Sequence, residues 1–296
     1  MIRGLYTAAS GMYSLERKQE TLADNLANAQ TPGYKKDDTV QRAFPKLLMQ
    51  RIQDFNEKGN VTFGGDFQLP GQPVPIGELY NGVYTQERIP SFGQGSLVQT
   101  DNPLDLAIED QGIPAQMVNG RLVKPAAFFA VQLPDGTVGY TRNGKWDLDA
   151  NGHLVTSEGY QVLGADHKPI QITDSIRKED LFINADGQLI AYPNDPSKTR
   201  LAGQIGIAVV QNPAELHRSG GNVFQSANPV PFIQDAGGTN PGISLYQGFI
   251  EQSNVDTGQT MTDMMMAIRG YEANQKVISV YDNSLQQLYS VGKMNG

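Results

Sequence analysis

NLANAQTPGYKK, residues 25–36, closes the first helical stretch of the chain. Pro32 and Gly33 occupy the second and third positions of Thr31-Pro32-Gly33-Tyr34, where a type II turn wants them. Asn25 and Asn28 have side chains that bond readily to backbone, which suits a helix end. An ordinary stop explains Pro and Gly but leaves two asparagines unaccounted for.

Working back from this stop, Ala8, Leu15, Leu22 and Ala29 recur every seven residues, and Leu5, Met12, Gln19 and Leu26 form a companion row. That is a heptad seam. At the far end, Met264, Tyr271, Ile278 and Leu285 repeat at the same interval, with Met261, Ile268, Gln275, Asp282 and Tyr289 beside them. Each helix also carries a partial second stripe: Ile2, Tyr6, Ala9 and Tyr13 on the first, Val277, Tyr281, Leu288 and Val291 on the last. One partner buries one stripe, so a second stripe asks for further neighbours, and other copies of the chain are the natural ones.

Between the helices, the segments 103–110, 126–133, 139–149, 152–164, 180–192 and 203–212 read as short strands joined by Asn-Gly and Asp-Gly turns. Residues 151–155 and 186–190 echo each other. Residues 44–75 are irregular, and the Gly-, Asn- and Pro-rich stretch 219–243 reads as a return linker. The fold class is α+β: paired terminal helices, coiled-coil-like, with a central all-β domain and an irregular extended connector. The division is 1–33 with 257–296 as a helical assembly domain, 34–90 with 219–256 as connector, and 91–218 as the β-rich domain.

Composition narrows the function. The 296 residues carry a net charge of −8, so no nucleic-acid partner is expected. There is no cysteine, which excludes thiol catalysis and cysteine-bound zinc or iron–sulfur centres. No stretch approaches the roughly 18 apolar residues of a membrane span. The N-terminus does not read as a cleaved signal peptide, because Gly4 and Gly11 interrupt it and charges at 16–18 follow.

Three motif matches fail or stay weak. Gly139 to Lys145 has P-loop spacing, but Trp146 replaces the magnesium-binding hydroxyl residue. The Gly64–Phe67 stretch has the start of a cyclic-dinucleotide synthase loop and lacks its second acid. Asp147, Asp149, Asn151 and Glu158 fit a calcium-loop pattern, yet strands rather than helices flank them, and an Asp/Asn-rich hairpin turn explains the same letters. No catalytic, cofactor or small-molecule site is expected; His153, His167 and His217 form no ligand-spaced cluster.

"MIRGLYTAASGM" with "NLANAQTPGYKK" resembles the N-terminus of the bacterial flagellar rod and hook family, whose motif falls here on Ala27, Asn28, Thr31, Gly33, Tyr34 and Lys35. "YQGFIEQSNVD" (246–256), "MMMAIRGYEANQKVI" (264–278) and "GYTRNGKWDLDANGHLVTSEGYQVLG" (139–164) resemble its closing motifs and β-domain. Within the family, the chain looks most like the distal-rod type and its Gram-positive rod paralogue. One departure is "PAQMVNGRLVKP" (114–125), which looks like an inserted hairpin. The resemblance implies a structural subunit of the basal-body rod that polymerises into a hollow, torque-transmitting shaft. It also implies export by the flagellar type III apparatus without signal cleavage, and an extracytoplasmic location.

The implied partners are other copies of the chain, other rod and hook subunits, and the export apparatus. The expected assembly interface is Leu5, Ala8, Met12, Leu15, Leu22, Leu26, Asn25 and Asn28 with Met264, Ile268, Tyr271, Ile278 and Leu285. The asparagines are expected to contact a second chain or the C-terminal helix. Phe44 and Leu48 fit a short export-gate pattern, as do Phe63 and Phe67, although core packing explains these phenylalanines more simply. The rival reading is a soluble β-rich module for wall glycan or calcium on a helical stalk. A wall-cutting hydrolase using Asp147, Asp149 and Glu158 comes third.

Overall fold

The computed structural model describes residues 2–44, 47–51, 74–79, 82–118, 120–172, 176–193, 195–233 and 242–294. The chain divides into two compact units. No described helix is long and apolar enough to cross a membrane.

The first unit comprises 1–23, 39–88 and 261–296. Most of helices α1 (Ile2–Ala27) and α2 (Thr257–Met294) lies in it, with strands β1 (Asp37–Ala43), β2 (Leu47–Arg51), β3 (Val74–Leu79) and β4 (Val83–Pro90). At 1.5 Å per residue the helices run about 39 and 57 Å. They pack antiparallel: Leu15 lies against Gly270, Gly11 against Asn274 and Gly4 against Tyr281, so steps of four and seven residues back along α1 are matched by equal steps forward along α2. β1 pairs with β4 and β2 with β3, so part of the stretch read as irregular is a β-ribbon; the remainder, 52–73, lies outside the described residues.

The second unit comprises 24–38 and 89–260. Its strands are β5 (Leu97–Gln99), β6 (Leu106–Glu109), β7 (Gln116–Val118), β8 (Arg121–Val123), β9 (Ala126–Gln132), β10 (Val138–Thr141), β11 (Trp146–Leu148), β12 (Leu154–Thr156), β13 (Gln161–Val162), β14 (Leu181–Ile183), β15 (Gln188–Ala191), β16 (Arg200–Gln204), β17 (Ile207–Val210), β18 (Leu216–Gly220), β19 (Val223–Ser226), β20 (Ser244–Gln247) and β21 (Phe249–Glu251). An eight-stranded sheet runs β11-β12-β13-β9-β10-β19-β18, with β17 also on β9.

The apolar run of β9 is buried on both faces, and the period of two sorts it. Ala127, Phe129 and Val131 enter one core cluster, while Ala126, Phe128 and Ala130 enter another. The stretch read as a return linker, 219–243, supplies the end of β18 and all of β19. Val223 and Phe224 are buried there, and two apolar residues in a Gly/Asn-rich run are too few to show a period. The two echoing segments build the same turn. Asp149 Oδ1 accepts the N–H groups of Asn151 and His153, as Asn184 Oδ1 accepts those of Asp186 and Gln188.

Candidate assembly site and junction

On α1, the buried residues are Ala8, Ser14, Thr21 and Asn25, and Leu5, Met12, Leu15, Leu22 and Leu26 are half-buried. Glycine brings the helices close: a Cβ on Gly4 would overlap the Tyr281 hydroxyl, and one on Gly270 would sit 3.0 Å from a Leu15 methyl. The next face of α1 is polar and meets β4. Ser14 Oγ lies 3.2 Å from Thr85 Oγ1, and Arg88 reaches Glu20 at 3.4 Å.

On α2, Met264, Tyr271 and Ile278 are half-buried, as the heptad predicts. Its companion row is shifted by one residue. Ala267, Asn274 and Tyr281 turn inward, while Met261, Ile268, Gln275, Asp282 and Tyr289 face solvent. Close approach selects Ala267 and the Asn274 that meets Gly11, whereas a sequence template rewards the larger apolar residues next to them. Tyr281, read as part of a second stripe, lies against Gly4 in the seam. Ile268 and Leu285 remain exposed at 42% and 48%, with Met265, Val280 and Leu288 above 50%. Tyr6 and Tyr13 are exposed on α1. From Leu285 to Lys293 every residue of α2 is exposed.

The helix stop resolves into a dense polar cluster. Tyr34 N–H bonds to Thr31 O at 3.2 Å, and Gly33 adopts φ +70°, as the turn requires. A Cβ on Gly33 would strike the backbone of Arg142 and Asn143 at 2.5 Å. Asn25 is buried. Its Nδ2 donates to Asp37 O at 2.8 Å, and its Oδ1 accepts from Asp37 N–H at 2.9 Å and from the Tyr34 hydroxyl at 3.2 Å. Asn28 donates to Asp24 O at 2.9 Å and accepts from the Thr31 hydroxyl at 3.2 Å. Both carboxamides therefore bond to the chain's own helix end and the loop that follows it. A short polar side chain bonds first to the backbone folded beside it.

Lys35 is fully buried. Its Nζ donates to Glu251 Oε1 at 2.6 Å and to Gly93 O at 2.8 Å, and Gly95 N–H bonds to the same carboxylate oxygen at 2.8 Å. Arg142 lies 3.6 Å from Glu251 and pairs with Asp110, so two cations face two carboxylates in the interior. Burial, with Arg142 adding to it, lowers the Lys35 ammonium to a pKa of about 8 against the pull of Glu251 and Asp110. Arg218 lies over the rings of Tyr34 and Phe224 at 4.7 and 4.9 Å, and bonds to Lys35 O and Asp37 Oδ1. Asn254 accepts Lys36 N–H at 2.8 Å and donates to Ser91 O and Gly93 O. Glu251, Arg142, Asp110, Arg218 and Asn254 have no periodic signature, since their partners are tens to hundreds of residues away. A place inside the quoted motifs hinted at Arg142, Glu251 and Asn254, while Asp110 and Arg218 lie outside them.

The residues of the calcium-loop pattern do not converge. Among the described residues, no three acidic or histidine side chains converge on a metal-sized site. Asp147 is held below its ordinary pKa chiefly by Lys178, and Asp149 by the His153 N–H in the hairpin turn. Glu158 sits beside Asn143. Strand alternation and turn geometry spend these acids locally. Phe44 rests on Tyr84, ring centroids 5.2 Å apart. The Leu48 side chain, Phe63, Phe67 and the Gly64–Phe67 stretch lie outside what is described.

Three family models match the chain: flagella basal body rod protein over residues 5–35, the flagellar hook protein FlgE/F/G D1 domain over 122–191, and the flagellar basal body rod FlgEFG protein C-terminal region over 246–291. The chain is 35% identical to the flagellar hook-basal body complex protein FlhO of Bacillus subtilis over 99% of its length and 100% of the relative's. This chain belongs to the flagellar basal-body rod family. It is also 33% identical to the flagellar basal-body rod protein FlgG of Borreliella burgdorferi, covering 96% of this chain and 97% of the relative. FlhP of Bacillus subtilis is 29% identical over 98% of this chain and all of the relative. The rod-family chain is thus a structural subunit of the flagellar basal body that assembles with other rod and hook subunits; a glycan- or calcium-binding module finds no support. Lys35, Arg142 and Glu251 come one each from the three matched segments.

Proposed function

We propose that the chain polymerises through the exposed faces of α1 and α2 into a hollow shaft that transmits torque. The apolar surface left open on the paired helices, Ile268 to Val291 with Tyr6 and Tyr13, carries this reading. Leu5, Ala8, Leu15, Leu22, Met264, Tyr271 and Ile278 set the helix pair inside one chain, and Ile268 and Leu285 with their exposed neighbours are the contacts made between chains. Burying such side chains contributes roughly 1.5–3 kcal/mol each, enough in sum to hold a lattice. The chain reaches its extracytoplasmic place through the flagellar type III apparatus.

Met265 and Val280, both exposed, give the test. A Met265→Asp, Val280→Asp chain is expected to melt like the parent and to be exported, but to leave cells without rods in images of isolated basal bodies. Normal rods in that strain contradict the reading.

A further inference from the structure

The central unit keeps two apolar features in solvent. The first is the β7–β8 hairpin. Its register sets Met117 directly opposite Leu122, and the two are 68% and 72% exposed. Cross-strand neighbours of this kind form one ridge. Arg121 and Lys124 flank the ridge, are exposed, and make no ion pair among the described residues. From Gln111 to Pro134 the sequence contains no acid, in a chain of net charge −8.

The second feature is the outer face of the β14–β15–β16 sheet. Leu181, Ile183, Leu189 and Ala191 turn into the core, so alternation assigns the other face to solvent, where polar residues belong. Instead the register lines up Phe182, Ile190 and Leu201 in one row across all three strands, with Phe182 46% and Leu201 63% exposed. Glu179 and Asp180, in the turn just before β14, make no ion pair among the described residues, while neighbouring Lys178 is taken up by Asp147.

We infer that the β7–β8 hairpin of one chain docks on the outer face of the β14–β15–β16 sheet of a second copy, Met117 and Leu122 against the Phe182–Ile190–Leu201 row and Arg121 and Lys124 towards Glu179 and Asp180. The proposal rests on the self-assembly argued above. Both features stay exposed in the same chain, so neither covers the other; the ridge and the row are both apolar, and the two cations and two acids, without ion-pair partners among the described residues, are opposite in sign. Because the two patches differ, the contact is head-to-tail. Such contacts close into rings or run on as helical filaments, and do not stop at a dimer.

The absence of native cysteine makes the test direct. A Met117→Cys, Leu201→Cys chain is incorporated into basal bodies, oxidised, and resolved by denaturing electrophoresis without reductant. A ladder of covalent dimers, trimers and higher species is expected, and a mixture of the two single variants gives dimers only. Rods that assemble but yield no ladder, a disulfide closed within one chain, or dimers from Met117→Cys alone would each overturn the docking while leaving rod assembly intact. Absence of this chain from the rods would instead sink the self-assembly reading. If the double variant fails to fold, charge exchange decides: Arg121→Glu, Lys124→Glu should impair swimming at least tenfold, and adding Glu179→Lys, Asp180→Lys should restore it. Failure of that rescue overturns the proposal.

Discussion

The junction around Lys35 and the outer faces of the terminal helices are opposites. At the junction the four central charges are buried and their partners lie in the same chain: Lys35 on Glu251, Arg142 on Asp110. On α2, Ile268, Val280, Leu285, Leu288 and Val291 stand in solvent. Buried charge tolerates no missing partner, whereas exposed apolar area tolerates waiting for one. A subunit that must be complete before it assembles has reason to close the first internally and leave the second open.

The comparison breaks most visibly at Lys35. Lys35→Met strands Glu251 in the interior and is expected to cost about 3–5 kcal/mol in denaturant unfolding of the β-rich unit. Lys35→Met with Glu251→Leu should recover most of it, because a neutral pair of similar size needs no solvation. Equal instability of single and double variants would mean that packing, not charge, sets the cost.

Asn25→Ala removes three hydrogen bonds and leaves Asp37's backbone groups unmet, a loss of about 2–3 kcal/mol in the same assay. Loss below about 0.5 kcal/mol would make the asparagine dispensable to the loop.

Alkaline pH probes Lys35 more gently. Its folded pKa of about 8 lies below the ordinary 10.5, so between those values the unfolded chain holds more protons. The unfolding free energy attributable to Lys35 therefore rises with pH across that window, by about 1–3 kcal/mol, and the burial cost is felt in full below pH 8. Subtracting the pH profile of the Lys35→Met, Glu251→Leu chain isolates the effect; a flat or falling difference contradicts the assignment. Smallest of all, Lys178→Ala on the exposed Asp147 pair should change stability by less than about 1 kcal/mol, in contrast with the buried pairs.

Much of this division was legible in the letters. The heptads announce both helices, Pro32 and Gly33 announce the turn, and Asn-Gly and Asp-Gly pairs announce the hairpins. Only the companion row of α2 lies one residue off the apolar pattern, because Ala267 and Asn274 give little apolar signal while Met261 and Ile268 give a strong one. The β18–β19 hairpin was hidden by its Gly- and Asn-rich setting. Least legible was the ion cluster: Lys35 and Glu251 are 216 positions apart, and nothing local to either says that it is buried.

Hydrogen exchange, compared between the free subunit and isolated rods, tests the division most directly. The Gly33 N–H, bonded to Glu251 O at 2.7 Å, and the 31–37 loop should be equally protected in both states. Residues 277–293 of α2 should exchange readily in the free subunit and become protected only in the rod. Full protection of that segment in the free subunit, or unchanged exchange on assembly, would contradict the account.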